Sequence, residues 1–224
     1  MVRNSGQKHT GGSALSGLYV ILDPSISPDR ALLDVLSASA QAGAKLFQYR
    51  NKTASMKEAY EEARALRKVA QQLGVLFIVN DRCDLALAVE ADGVHLGQED
   101  LPLHYARKVM GADKLIGIST HNPEQVLTAT AGRPDYLGFG PIFAPGSKLD
   151  HDPVVGIEGL RAVRRLTAVP IFAIGGIGLN HVEEVVRAGA NGVAVVSAIM
   201  KAPDIQQVVN DFVSRFSATA PPAS

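Results

Sequence analysis

Short apolar runs recur along the chain, and each is followed by a stretch with helical spacing. Residues 18–22, Leu-Tyr-Val-Ile-Leu, are apolar throughout and stop at Asp23-Pro24. Beyond Pro28, Leu32, Leu33, Val35 and Leu36 share one side of a predicted helix over 28–42, which Gly43 ends. The same rhythm predicts strands over 44–49, 75–80, 93–96, 115–119, 136–140, 170–175 and 192–197. The helices between and after them fall over 54–73, 83–89, 102–110, 123–131, 157–166, 180–188 and 205–216. Strict alternation with short connections implies parallel strands. Eight such units in about 200 residues fit a single α/β domain, a closed (β/α)8 barrel of the TIM type. A doubly wound open sheet competes, but it wants a glycine-rich first turn, and here that turn reads Asp23-Pro24-Ser25.

The ends of the chain break this pattern. Residues 1–16 are polar and rich in Gly and Ser, so they read as a disordered leader. Residues 218–224, with two prolines, read as a flexible tail, and 17–217 as the barrel domain. Lys+Arg and Asp+Glu each total 22, so no overall field draws the chain to nucleic acid or an anionic membrane. No apolar run reaches the roughly 18 residues of a membrane span. Cys83 is the single cysteine, which points to a reducing compartment and hence the cytoplasm. A homo-oligomer is left open.

In such barrels chemistry gathers where the strands end. Gln48, Arg50 and Lys52 alternate along the end of the second strand and share one face, while Phe47 and Tyr49 take the other. Two cations there want solvent or an anion. Asn80 and Asp81 follow the third strand and Asp100 lies beyond the fourth, so the two carboxylates can approach each other. A helix-capping role and a magnesium site both fit them. Gly175-Gly176 and Val196-Ser197 end strands seven and eight, where barrels form phosphate sites from backbone N–H groups. Lys148 sits in a long loop, where a surface lysine and a lid lysine compete. His95 lies inside a strand and reads as a packed histidine, His121 at the rim as a weaker candidate, and Cys83 as structural. Two anion sites emerge, one cationic and near carboxylates, one made of backbone. They suit ionisation of a diphosphate ester followed by capture of the cation.

The chain resembles the thiamine-phosphate synthase family at QYRNK (48–52), NDRCDLALAVEADGVHLGQEDLP (80–102), GIST (117–120), YLGFGPIF (136–143) with SK (147–148), AIGGI (173–177) and AGANGVAVVSAI (188–199). The resemblance implies a (β/α)8 barrel that joins a hydroxymethylpyrimidine diphosphate to a thiazole phosphate and releases pyrophosphate. It implies that Gln48, Arg50, Lys52, Asn80, Ser119 and Lys148 hold the pyrimidine diphosphate, with Tyr49 and Asn51 of the same stretch. Arg50, Ser119 and Lys148 would serve catalysis, and Asp81 and Asp100 would hold Mg2+. Gly176, Val196 and Ser197, with the loop residues Pro145, Gly146 and Ser147, would hold the thiazole phosphate. The family loop usually reads Thr-x-Thr-Lys, whereas this chain has Pro145-Gly146-Ser147-Lys148. Pro145 brings neither hydroxyl nor N–H. The rivals are a thiazole tautomerase, which lacks the paired aspartates, and a phosphate-binding barrel without turnover.

Overall fold

The computed structural model describes residues 15–144 and 153–219. The loop residues Pro145, Gly146, Ser147 and Lys148, most of the leader and the end of the tail lie outside these. Eight strands, β1 (Gly17–Leu22), β2 (Leu46–Tyr49), β3 (Leu76–Asn80), β4 (Gly93–Leu96), β5 (Leu115–Thr120), β6 (Tyr136–Phe139), β7 (Ile171–Ile174) and β8 (Gly192–Val195), close into one barrel. Every neighbouring pair is parallel, including β8 with β1, so all strand C-termini meet at one rim. The helices between them are α1 (Leu32–Gln41), α2 (Met56–Leu73), α3 (Cys83–Ala88), α4 (Leu103–Met110), α5 (Pro123–Ala131), α6 (Gly156–Arg164) and α7 (Val182–Arg187). Two more, α8 (Ser197–Met200) and α9 (Ile205–Thr219), follow β8.

The sequence reading of strict alternation holds, with shifted edges. α1 starts at Leu32 rather than 28, because 28–30 form a turn and Arg30 reaches across to the Ala202 carbonyl at 2.6 Å. The run over 192–197 is not all strand: it ends at Val195, and Ser197 opens α8. Short 3-10 turns at Pro24–Ile26 and Leu179–His181 were not predicted. α2 begins with a reciprocal cap, Glu58 N–H to Ser55 Oγ at 3.3 Å and Ser55 N–H to Glu58 Oε2 at 2.9 Å. It ends at Gly74, whose φ of 65° suits glycine.

The pleat sorts the strand residues into two cores. Leu18, Val20, Phe47, Phe77, Val79 and Val94 face outward into the layer beneath the helices. Tyr19, Ile21, Leu46, Ile78, Tyr136 and Phe172 face inward and fill the barrel. The inner aromatics are bulky, and glycines make room for them. A Cβ on Gly117 would stand 2.1 Å from Tyr136 Cζ, and one on Gly192 would stand 2.5 Å from Phe172 Cε1. The barrel centre is therefore packed solid below the rim, and open space begins only where the strands end.

At the opposite, N-terminal rim one arrangement repeats three times. Asp92, just before β4, takes the Phe77 N–H of β3 on Oδ2 at 2.8 Å and meets Arg67 of α2 at 2.9 Å. Asp135, before β6, takes the Ile116 N–H of β5 at 2.7 Å and meets Arg107 of α4 at 2.6 Å. Asn191, before β8, takes the Ile171 N–H of β7 at 2.9 Å and meets Arg164 of α6 at 3.1 Å. In each case the acceptor residue's own N–H returns to the carbonyl of the same strand residue. A strand pair and its helix are thus clasped together in three successive two-unit modules.

Candidate active site

One cavity of about 530 Å3 opens at the C-terminal rim. Its walls come from nearly every strand end, because side chains that point inward above the packed core have only this space to enter. Gln48 of β2, with Arg50 and Lys52 just beyond its end, lines it, while Phe47 and Tyr49 turn to the outer core, as the pleat requires. Asn80 and Asp81 enter after β3, Asp100 after β4 and Ser119 from β5. From the other side come Gly175, Gly176, Val196 and Ser197.

The β2–β4 wall is charged and tightly bonded. Arg50 forms an ion pair with Asp23, whose side chain is 5% exposed, and Asp23 also accepts from the Ser25 N–H and hydroxyl. Lys52 Nζ stands 3.3 Å from Asp81 Oδ2. Asp81 has a φ of 63°, a left-handed backbone that Asp and Asn tolerate better than most residues. Its N–H bonds the His95 carbonyl at 2.7 Å, which ties the turn after β3 to β4. Partial burial, then a hydrogen bond shared with Asp100 and the charge of Asp100, raise the Asp81 pKa, and Lys52 only partly offsets this. The capping roles are not realised. Arg82 and Pro102 stand at the N-caps of α3 and α4 and give no side-chain cap, and Asp100 instead accepts the Gly97 N–H at 2.6 Å. Among the described residues, the cavity's cationic side chains are Arg50 and Lys52, against four carboxylates: Asp23, Asp81, Glu99 and Asp100. That wall holds an excess of negative charge.

The β7–β8 wall carries no such charges. Gly175 and Gly176 both have positive φ, 95° and 63°. A Cβ on Gly176 would stand 2.8 Å from Phe143 Cβ and 2.9 Å from the Ala144 carbonyl oxygen. Both conformation and space disfavour a side chain at Gly176, so the chain can bring backbone close to whatever the cavity holds.

A sequence profile described as thiamine monophosphate synthase matches residues 18–199. The chain is 46% identical over 202 residues to the thiamine-phosphate synthase of Chloroflexus aurantiacus, covering 90% of this chain and 93% of that one. It is 43% identical to that of Methanospirillum hungatei, covering 88% and 95%. Among solved structures, thiamine phosphate pyrophosphorylase from Pyrococcus furiosus superposes with a TM-score of 0.84 at 34% identity, over 93% and 99% of the two chains. The chain belongs to the thiamine monophosphate synthase family.

Ten residues that the resemblance to this family singles out therefore meet in one cavity. Tyr49 and Asn51 do not join them. They border an adjoining cleft of about 260 Å3 toward α2 and α3, which shares Lys52, Asn80 and Asp81 with the main cavity. Asn51 spends its side chain on the loop, with Oδ1 accepting from the Thr53 and Ala54 N–H groups and Nδ2 donating to Glu62 at 3.1 Å. Pro145, Gly146, Ser147 and Lys148 fall outside the described residues. Among the cavity residues that escaped the sequence reading are Asp23, Tyr19, Glu99 and Gln98, whose Nε2 donates to the Ser119 carbonyl at 2.5 Å. The pleat carried a signal for two of them, since Tyr19, Ile21 and Asp23 share the inward side of β1 and its extension.

The magnesium that the sequence resemblance implies is compatible with this donor set. Asp81 and Asp100 supply hard oxygens on one wall of the cavity, where carboxylates outnumber cations among the described residues. Among the described residues no cluster of three or more His, Cys, Asp or Glu side chains could hold a metal by itself. Two carboxylates with room for waters and substrate phosphate oxygens is a usual magnesium arrangement. No described helix is long and apolar enough to cross a membrane.

Proposed function

We propose that the chain couples 4-amino-2-methyl-5-(diphosphooxymethyl)pyrimidine to a thiazole phosphate by dissociative loss of pyrophosphate, at the cavity above the barrel, in the cytoplasm. As a member of its family it is a transferase that forms thiamine phosphate. The observation that carries the mechanism is the charge imbalance of the β2–β4 wall. A diphosphate is repelled by a wall with more carboxylates than cations, so Asp81 and Asp100 would hold Mg2+, which would offset that charge and stabilise the departing diphosphate.

Arg50, Lys52 and Asn80 then bind diphosphate oxygens, with Arg50 held in place by Asp23. Gln48 and Ser119 contact the pyrimidine end. Lys148, outside the described residues, is assigned to the same ligand from the family motif. The bond from the methylene carbon to the diphosphate oxygen breaks, and its electron pair leaves with pyrophosphate. The thiazole nitrogen donates its lone pair to the methylene cation, giving the thiazolium product. No proton need move. Gly176, Val196 and Ser197 bind the thiazole phosphate, and the inward faces of Ile21, Phe172 and Ala194 give the rings an apolar floor that keeps water from the cation.

Purified protein given both substrates should form thiamine phosphate and pyrophosphate with magnesium and lose that activity on chelation. Absence of product with magnesium present overturns the reading. Isomerisation of the thiazole phosphate alone would favour the tautomerase.

A further inference from the structure

Five polar side chains run in file across the inside of the barrel. Gln48 Nε2 donates to Tyr19 Oη at 2.8 Å, and Tyr19 Oη meets Tyr136 Oη at 2.8 Å. Tyr136 Oη meets His95 Nδ1 at 3.1 Å, and His95 Nε2 meets Ser119 Oγ at 2.9 Å. Gln48, Tyr19, Tyr136 and His95 are all buried. Ring packing fixes the middle of the file: Tyr136 stacks on His95 and meets Tyr19 and Phe172 edge-on. Both ends, Gln48 and Ser119, line the cavity, whereas Tyr136 has no exposure at all.

A buried hydroxyl or imidazole without a partner is costly, so the protons of the file must all run one way. The Gln48 amide decides which. Tyr19 already accepts from Gln48, so its own proton goes to Tyr136. The Tyr136 proton goes to His95 Nδ1, which leaves the imidazole proton on Nε2, donated to Ser119 Oγ. The Ser119 hydroxyl proton is left over and faces the cavity. The opposite sense is equally complete, but only if the Gln48 amide turns to put Oε1 on Tyr19 and every proton in the file reverses. Burial keeps all members neutral: it holds His95 down to about 4, against the nearby charge of Asp100, and pushes both phenols up.

We propose that Tyr19, Tyr136 and His95 are positioning residues that lock the two ligand-facing ends of the file in step. In this state Gln48 shows the cavity its second N–H and its carbonyl, a donor beside an acceptor, and Ser119 shows a donor. A ligand is then read at two points, on β2 and β5, by groups whose hydrogen-bonding sense cannot change independently. The assignment of these ends to the pyrimidine diphosphate rests on the function proposed above; the file itself does not.

The test uses the full chain labelled with 15N-histidine, with His95 identified by the resonances that vanish in His95→Gln and do not titrate between pH 5 and 8. Long-range proton–nitrogen spectra should show His95 as the neutral Nε2–H tautomer. Tyr136→Phe keeps the ring and removes the link, so an Nδ1–H population should appear. In the same variant KM for the pyrimidine diphosphate should rise on the order of tenfold, the worth of one buried hydrogen bond. KM for the thiazole phosphate should stay unchanged. A wild-type Nδ1–H tautomer, an unaltered tautomer in Tyr136→Phe, or equal shifts in both KM values would overturn the proposal. Because the tautomer is read without turnover, a protein that forms no thiamine phosphate still decides it.

Discussion

The two rims of this barrel use the same residue types to opposite ends. At the N-terminal rim, Asp92 and Asp135 each meet one arginine and one strand N–H, so every charge is bracketed by partners. At the C-terminal rim, Asp81 and Asp100 line one wall, and an exposed lysine, Lys52, pairs with Asp81. The first arrangement is complete in the protein alone. The second leaves two carboxylates against one lysine, the arrangement that the proposed function completes with a cation and an anion. A carboxylate's surroundings, rather than its presence, separate a clasp from a site. The β7–β8 side adds a third solution, in which backbone shape replaces charge altogether.

The largest effect that would sharpen this contrast is on turnover. Asp100→Asn keeps an oxygen for the Gly97 N–H but removes a charge from the pair. Pyrophosphate release should fall by more than the roughly 10–100-fold that changes around a metal's ligands cost, with the fold intact. Wild-type rates in this variant would break the comparison at its top half. Asp92→Ala should do the reverse. It strands Arg67 and the Phe77 N–H, both largely buried, and should cost about 2–3 kcal/mol in denaturant unfolding while kcat stays unchanged. A smaller effect belongs to Gly176→Ala. Its φ of 63° and the close Phe143 should cost about 1–3 kcal/mol of strain. KM should rise for the thiazole phosphate and not for the pyrimidine diphosphate. Equal shifts in both would show that the two walls are not separate sites.

What could be read from the sequence, and what could not, follows from how far apart partners lie along the chain. Alternation within a strand is local, so the shared face of Gln48, Arg50 and Lys52 was visible before any fold was known. The acid pair was visible because Asp81 and Asp100 end adjacent strands. Asp23 was not, since its meaning comes from Arg50, 27 residues on. Nor was the aromatic file, because Tyr19 and Tyr136 are 117 residues apart. The start of α1 is set by the turn at 28–30 and the reach of Arg30 to Ala202, a tertiary contact that propensity cannot see. α8 hid inside an apolar run that reads as continuous strand. Tyr49 and Asn51 shared a motif with true cavity residues, yet parity and a local loop network send them elsewhere.

The claim on which all of this rests is that the Asp81–Asp100 pair is strained until a divalent ion joins it. Asp81 binds its proton more tightly folded than unfolded, so its ionisation subtracts from stability progressively as pH rises from the unfolded value through the raised folded one. Thermal unfolding of the wild type and of Asp81→Asn at pH 7, each with chelator and with magnesium, reads this directly. Asn suits the left-handed backbone at this position. The account predicts that Asp81→Asn melts above the wild type in chelator, and that magnesium raises the wild-type Tm but not the variant's. A variant that melts lower in chelator, or a magnesium shift of equal size in both proteins, would contradict it.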